Sequence, residues 1–131
     1  MKLNQVTVTV DDMQAAIAFY EKLGMRLIVH THERYARFEM VGGRTTFSLH
    51  LGERPAPGGP ALYFEVDDVN ADYLRLKAKG IAFDHPPKDQ SWRWREAWFS
   101  DPAGNRLCLY HAGENRRFPP WRLTSRAVDA L

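Results

Sequence analysis

The sequence of 131 residues contains a single cysteine and almost no excess of charge of either sign. One cysteine excludes an intrachain disulfide framework and a cysteine-rich zinc site, and it favours a cytoplasmic location. A net charge of +2, from 18 basic and 16 acidic residues, gives no electrostatic footprint for nucleic acid. The first twelve residues alternate in polarity and end on Asp11 and Asp12, so we expect neither a signal peptide nor a membrane span.

What remains is an ordinary globular composition. Hydrophobic residues make up 44% of the chain and charged residues 26%, which excludes a disordered protein. The length is typical of one domain and is sufficient to bury a core without a covalent or metal staple.

An internal repeat, offset by 56 residues, divides the chain into two similar halves. Residues 7–25, TVTVDDMQAAIAFYEKLGM, align with residues 63–81, YFEVDDVNADYLRLKAKGI. Each copy has an alternating run, two acids, a run with helical spacing and then a glycine. The alternation predicts a strand, Asp12 predicts a helix N-cap, and Gly24 predicts a left-handed residue at the helix end.

The remaining patterns predict two modules of order β-α-β-β-β. In the first module we expect strands at 3–10, 25–32, 35–42 and 45–51. In the second we expect strands at 61–66, 81–84, 93–100 and 105–110, with a helix at about 68–79. The fold class is therefore α+β. We expect one domain over residues 1–113, with modules at about 1–52 and 60–113, and a tail at 114–131.

Four segments in the expected order between residues 3 and 111 carry a family resemblance: VDDMQAAIAFYEKLGM, FEVDDV, WRWREAWFSDPAGN and LCLY. They resemble the vicinal oxygen chelate superfamily, which includes glyoxalase I, bleomycin resistance proteins and extradiol dioxygenases. The resemblance implies two βαβββ modules that form a curved mixed sheet around a ligand cavity, with the helices on the outer face. It also implies a two-fold dimer in many members, and often a glycine at the position of Arg93.

The resemblance further implies a divalent metal bound by the first and last strand of each module. The corresponding positions here are Gln5 and Ser48 in the first module and Ala61 and Cys108 in the second. Zinc, nickel, manganese and iron require three or more imidazole, carboxylate or thiolate ligands, which this set does not supply. We therefore expect no cofactor at these positions.

Side chains alternate between the two faces of a strand, so parity separates an apolar side from a mixed polar side. The polar side and the aromatic run at 93–99 provide the candidate ligand-binding residues, which are Gln5, Ser48, His50, Ala61, Tyr63, Trp94, Glu96, Trp98, Cys108 and Tyr110. Trp94 and Trp98 offer flat apolar walls that suit an aromatic or cationic ligand. The structural alternatives are a solvated sheet face, and tryptophans in the core or at a dimer interface.

Two main functions stay open on the sequence alone. In the first, the protein binds an aromatic or cationic organic molecule without a metal, as bleomycin-resistance-type members do. In the second, it is a lyase or dioxygenase-type enzyme that uses His50 and Glu65 as acid–base residues, or a displaced divalent metal held by His50 and carboxylates. An assembly protein is a weaker third alternative. We expect a small-molecule ligand and a homodimer, but no nucleic acid or membrane partner.

Overall fold

Both helices of the computed structural model, which describes residues 1–124, begin at an aspartate. Helix α1 (Met13–Lys22) is capped by Asp12, whose Oδ1 accepts a hydrogen bond from the backbone N–H of Ala15 at 3.0 Å. Asp68 caps helix α2 (Val69–Ala78) in the same way. Each helix is followed by a glycine with a left-handed backbone, Gly24 (φ +99°) and Gly80 (φ +93°). The predicted caps and helix ends are confirmed, and both follow from local chemistry.

Eight strands form two separate four-stranded sheets within residues 1–124. The first sheet has the order β1-β4-β3-β2, with bounds β1 Gln5–Val10, β2 Arg26–Thr31, β3 Tyr35–Glu39 and β4 Thr46–Leu51. The second has the order β5-β8-β7-β6, with bounds β5 Ala61–Glu65, β6 Lys88–Asp89, β7 Arg95–Ser100 and β8 Arg106–His111. In each sheet the first strand pairs in parallel with the last, and the other neighbours are antiparallel. The predicted α+β architecture of two βαβββ modules is confirmed.

One predicted strand is wrong. Residues 81–84 form no strand, although Phe83 makes an isolated antiparallel bridge to Phe99. The outer strand of the second sheet is instead the two-residue β6, which follows Pro86 and Pro87. Prolines have no backbone N–H to donate, so this pair interrupts the ladder between the bridge and β6.

A shared core joins the two modules. Helix α1 packs on β2, β3 and β4, and α2 packs on β7 and β8. Aromatic contacts cross between the modules, with ring centroids 6.1 Å apart for Phe19 and Phe99 and 6.4 Å apart for Phe47 and Phe64. Both sheets therefore bury their apolar faces with the helices, and the mixed polar face of each sheet lies on the side opposite to this core.

The chain continues beyond β8 into a 3-10 helix at Gly113–Asn115. Phe118 then lies under the guanidinium groups of Arg117 and Arg122, at 5.3 and 4.4 Å from the ring centroid, and Trp121 is 54% exposed. The remainder of the predicted tail, residues 125–131, lies outside the described residues. No helix within residues 1–124 is long and apolar enough to cross a membrane. The cytoplasmic location stays a prediction.

Candidate functional site

The polar face of the first sheet carries a chain of hydrogen bonds centred on Ser48. The hydroxyl of this fully buried residue accepts a hydrogen bond from Gln5 Nε2 at 2.7 Å and shares another with the Tyr35 hydroxyl at 2.7 Å. Arg37 Nε donates to the Tyr35 hydroxyl at 2.8 Å, and the Thr46 hydroxyl donates to the amide oxygen of Gln5. Two residues that the sequence predicts for the site, Gln5 and Ser48, are therefore in direct contact.

Tyr35 and Arg37 are residues that the sequence reasoning missed. Burial raises the pKa of Tyr35, but its hydrogen bonds with Ser48 and Arg37, together with the Arg37 charge, outweigh that effect and lower the pKa below its ordinary value. Arg37 makes no ion pair within the described part of the chain. The parity of the third strand was the available signal, since Arg37 lies directly opposite Ser48 in the ladder.

An aromatic wall, formed by Tyr63, Trp94, Trp98 and Tyr110, covers the polar face of the second sheet. The Tyr63 ring lies edge-on to the other three, with centroid distances of 5.7 Å to Trp94, 5.4 Å to Trp98 and 5.6 Å to Tyr110. Trp94 stacks on Tyr110 at 4.7 Å. The centre of the wall is exposed to solvent, because Tyr63 is 47% exposed.

The strand register explains why these rings meet. Cys108 on β8 lies opposite Tyr63 on β5 and opposite Trp98 on β7, so the three side chains share one face. Tyr110, two residues further along β8, lies opposite Glu96 on the same face. The predicted parity of these strands is confirmed.

A buried carboxylate lies among the indole rings. Glu96 is 2% exposed, and each of its oxygens accepts a hydrogen bond from one indole N–H: Oε1 from Trp98 at 2.9 Å and Oε2 from Trp92 at 3.0 Å. The sequence reasoning missed Trp92, which lies in the loop before β7, where no strand periodicity indicates its direction. The next residue, Arg93, has a left-handed backbone (φ +67°), the conformation that glycine favours and the resemblance implied.

Cys108 lies beneath the wall and is completely buried. Burial raises the pKa of its thiol to about 12, and the negative charge of Glu96 contributes in the same direction. Burial, with a smaller contribution from the negative charge of Glu96, also raises the pKa of Tyr63. A thiol that stays protonated at neutral pH is a poor nucleophile and a poor metal ligand.

The two acid–base candidates, His50 and Glu65, lie on different sheets. His50 is exposed on β4, opposite Tyr35 and Thr9 in the ladders. Glu65 lies at the end of β5, where Oε2 accepts hydrogen bonds from two backbone N–H groups at the start of the 3-10 helix, at 2.7 and 2.9 Å. The Glu65 carboxylate therefore contacts the C-terminal segment rather than His50.

The four positions at which the resemblance implies metal ligands are divided between the sheets. Gln5 and Ser48 bond to each other on the first sheet, and Ala61 and Cys108 lie on the second. An amide, a hydroxyl, a methyl group and a protonated thiol do not fit a divalent metal centre. Within residues 1–124, no three or more His, Cys, Asp or Glu side chains are grouped so as to hold a metal ion.

An open groove of about 790 Å³ also lies between the modules, beside β5. Its lining is mostly apolar and includes Val6, Met40, Phe47, Leu62 and Phe64. Ligand sites combine such apolar surface with a few convergent polar groups that fix orientation. The groove also reaches Tyr63, Glu65 and Arg75, so it adjoins the aromatic wall at Tyr63. The wall brings four aromatic rings together beside Glu96, and we take it as the candidate site.

Comparison with known proteins assigns this fold to a family. Residues 2–109 match the model of the Glyoxalase/Bleomycin resistance protein/Dioxygenase superfamily. Because the match spans most of the chain, the protein belongs to this superfamily, as the sequence resemblance predicts.

Individual relatives agree with that assignment. The chain is 30% identical over 125 aligned residues to YraH from Bacillus subtilis (strain 168), with 84% of this chain and 98% of YraH covered. It is 33% identical to TnmS3, an antibiotic binding protein from Streptomyces sp. CB03234, with a TM-score of 0.72 and coverage of 86% and 96%. A glyoxalase/bleomycin resistance protein/dioxygenase from Nocardioides has a TM-score of 0.74 at 24% identity, with coverage of 86% and 83%, and supports the fold alone.

Proposed function

We propose that the protein binds a small aromatic or cationic organic molecule at the aromatic wall of the second module. The observation that carries this proposal is the exposed centre of the wall, where Tyr63 stays 47% exposed between Trp94 and Trp98. Exposed aromatic area clustered around convergent polar groups is typical of a ligand site. The similarity to an antibiotic binding protein supports binding, rather than turnover, as the role of this site.

The proposed binding is independent of metal. Support comes from the side chains at the four inherited positions, which include the Ala61 methyl group and the protonated Cys108 thiol. The enzymatic alternative has less support. The Glu65 carboxylate is occupied by two backbone N–H groups, and His50 lies on the other sheet.

We further infer that a homodimer completes the site. Within one chain, the Ser48 network and the aromatic wall lie on separate sheets, each opposite to the shared core. A two-fold dimer that brings the first sheet of one protomer to the second sheet of its partner creates two identical cavities, each with a polar and an aromatic side. Strands β1 and β5 end their sheets and leave one edge each for such a contact.

A fluorescence titration tests the proposed site. Titration of the full chain with a library of aromatic and cationic compounds should give a saturable change in indole fluorescence. For a compound that binds, Trp98→Ala should weaken affinity by about 1–3 kcal/mol, the scale of losing a packed aromatic anchor.

The control is Trp121→Ala, which removes an exposed indole that makes no ring contact with the wall in the described part of the chain and should leave affinity unchanged. Equal losses for the two variants, or a loss for Trp121→Ala alone, would place the ligand away from the wall and contradict the proposal.

A further inference from the structure

The buried carboxylate of Glu96 makes no ion pair within residues 1–124, although Lys88 on β6 lies opposite Glu96 in the ladder. It is 2% exposed, and its hydrogen bonds come from the uncharged indole N–H groups of Trp92 and Trp98. A buried charge is costly unless an opposite charge compensates it. The site therefore has a buried carboxylate without an ion-pair partner directly behind its aromatic surface.

The pKa values of two neighbouring side chains depend on Glu96. Glu96 contributes to the raised pKa of both Cys108 and Tyr63. Arg106 contacts the Trp98 ring at 5.4 Å, but its guanidinium forms an ion pair with Asp84 at 2.6 Å. At the other end of the wall, Arg116 lies 4.0 Å from Glu65. Each of these arginines is thus paired with another acid, and neither neutralises Glu96.

The rings themselves favour a cation. The faces of indole and phenol rings carry partial negative charge, and they bind guanidinium and ammonium groups most strongly where water is excluded. The contact between Arg106 and Trp98 is an intramolecular example on this wall. An acid behind the rings adds to their attraction, because both act on the same positive charge.

From this geometry we propose that the ligand is a flat organic cation, with a quaternary or protonated heteroaromatic nitrogen lying against Tyr63 and Trp98 in front of Glu96. The inference rests on the proposed function and narrows its ligand class. A neutral aromatic ligand can stack on the wall, but it brings no positive charge to the Glu96 carboxylate.

Three probes of similar shape and different charge test this inference by titration calorimetry with the full chain. They are the N-methylquinolinium cation, neutral 1-methylnaphthalene and the anion 1-naphthoate. We expect the cation to bind about tenfold or more tighter than the neutral probe, the range given by a desolvated cation–π contact, and the anion to bind weakest. This order is measured on the wild-type protein and requires no variant to fold.

Glu96→Gln keeps the size of the side chain and removes its charge, although its amide oxygen can accept only one of the two indole hydrogen bonds. The variant should reduce the ratio of the affinity for the cation to the affinity for 1-methylnaphthalene, because the negative charge is lost while the attraction of the rings for the cation remains. Glu21→Gln, on the exposed side of α1, is the matched control and should change neither affinity.

The inference would be overturned by equal or tighter binding of the neutral or anionic probe, or by a preference for the cation that is undiminished in Glu96→Gln. In either case Trp98→Ala still tests the proposed function. If the probes bind at the wall, loss of the Trp98 ring should weaken the binding of all three. Failure of the cation to bind at all would also overturn the inference, and the library titration would then decide the proposed function separately.

Discussion

The hydroxyl of Tyr20 on α1 donates a hydrogen bond to Oδ2 of Asp101, 81 residues away, at 2.6 Å. Asp101 opens the DPAGN turn of the second module, and it also accepts hydrogen bonds from the backbone N–H groups of Ala103 and Asn105 and from Asn105 Nδ2. The same Nδ2 donates to the carbonyl of Thr9 on β1. One buried carboxylate thus shapes a turn of the second module and fastens the first module to it.

Removing the Tyr20 hydroxyl should therefore destabilise the protein. We expect Tyr20→Phe to lower the free energy of unfolding by about 1–2 kcal/mol, because a hydrogen bond to a charged group is lost while Asp101 keeps its other donors. Asp101→Ala should cost more, about 3 kcal/mol or above, since it leaves several buried donors without an acceptor. Urea unfolding measures both.

The matched control for this comparison is Tyr63→Phe, which removes the hydroxyl of a residue that is 47% exposed. It should change stability by less than about 0.5 kcal/mol. A Tyr20→Phe variant as stable as Tyr63→Phe would show that the contact between modules contributes nothing.

The same contact shows how far sequence reasoning reaches. The helix that contains Tyr20 and the turn that begins at Asp101 were both predicted, because N-caps, helical spacing and turn chemistry are local properties. Their contact was not predicted, since no periodicity relates residues 81 positions apart. Both motifs are among the segments that carry the family resemblance, and the structure joins them in one network.

The candidate site also combines features that local sequence patterns predict with features that they do not. Alternation placed Ser48, Cys108 and Trp98 on the polar faces correctly, because side-chain direction along a strand follows directly from position. Alternation does not say how two sheets are arranged, so the location of Gln5 and Ala61 on separate sheets had to come from the structure. Trp92 lies in the loop before β7, where strand alternation does not apply, so its side-chain direction could not be predicted from position.

The raised pKa of Cys108 predicts a loss of stability at alkaline pH. The thiol has a pKa of about 12 in the folded protein and about 9 in the unfolded chain. Below pH 9 it is protonated in both states, but between pH 9 and 12 only the unfolded chain releases the proton. The free energy of unfolding should therefore fall as pH rises, by at most about 1.4 kcal/mol per pH unit and 4 kcal/mol in all.

Urea unfolding of the wild type and Cys108→Ala at several pH values between 8 and 11 measures this effect. The variant is expected to start less stable, because a small cavity replaces the sulfur, but to lose stability less steeply with pH. Parallel curves for the two proteins would show that Cys108 titrates normally in the folded state.

Metal addition should leave the protein unchanged. Protein purified without chelator should contain well under one equivalent of transition metal, and added Ni(II) or Zn(II) should not raise the melting temperature. Specific binding to the native state would raise it by mass action. Elemental analysis and thermal melts check both points. A saturable increase that His50→Ala abolishes would contradict the prediction and identify a displaced metal site.

Assembly is the last prediction. Sedimentation at micromolar concentration should give a stable species of twice the 15.1 kDa chain mass. If the cavity lies between protomers, Arg37→Ala and Trp98→Ala should each weaken binding of the N-methylquinolinium probe, or of whichever compound the library titration identifies. Mixing the two variants under conditions of subunit exchange should then restore about a quarter of the sites at full affinity, because each heterodimer has one cavity with both wild-type faces. A mixture that binds no better than its components would show that the first sheet and the aromatic wall do not meet across a dimer, and a stable monomer would exclude the dimer altogether.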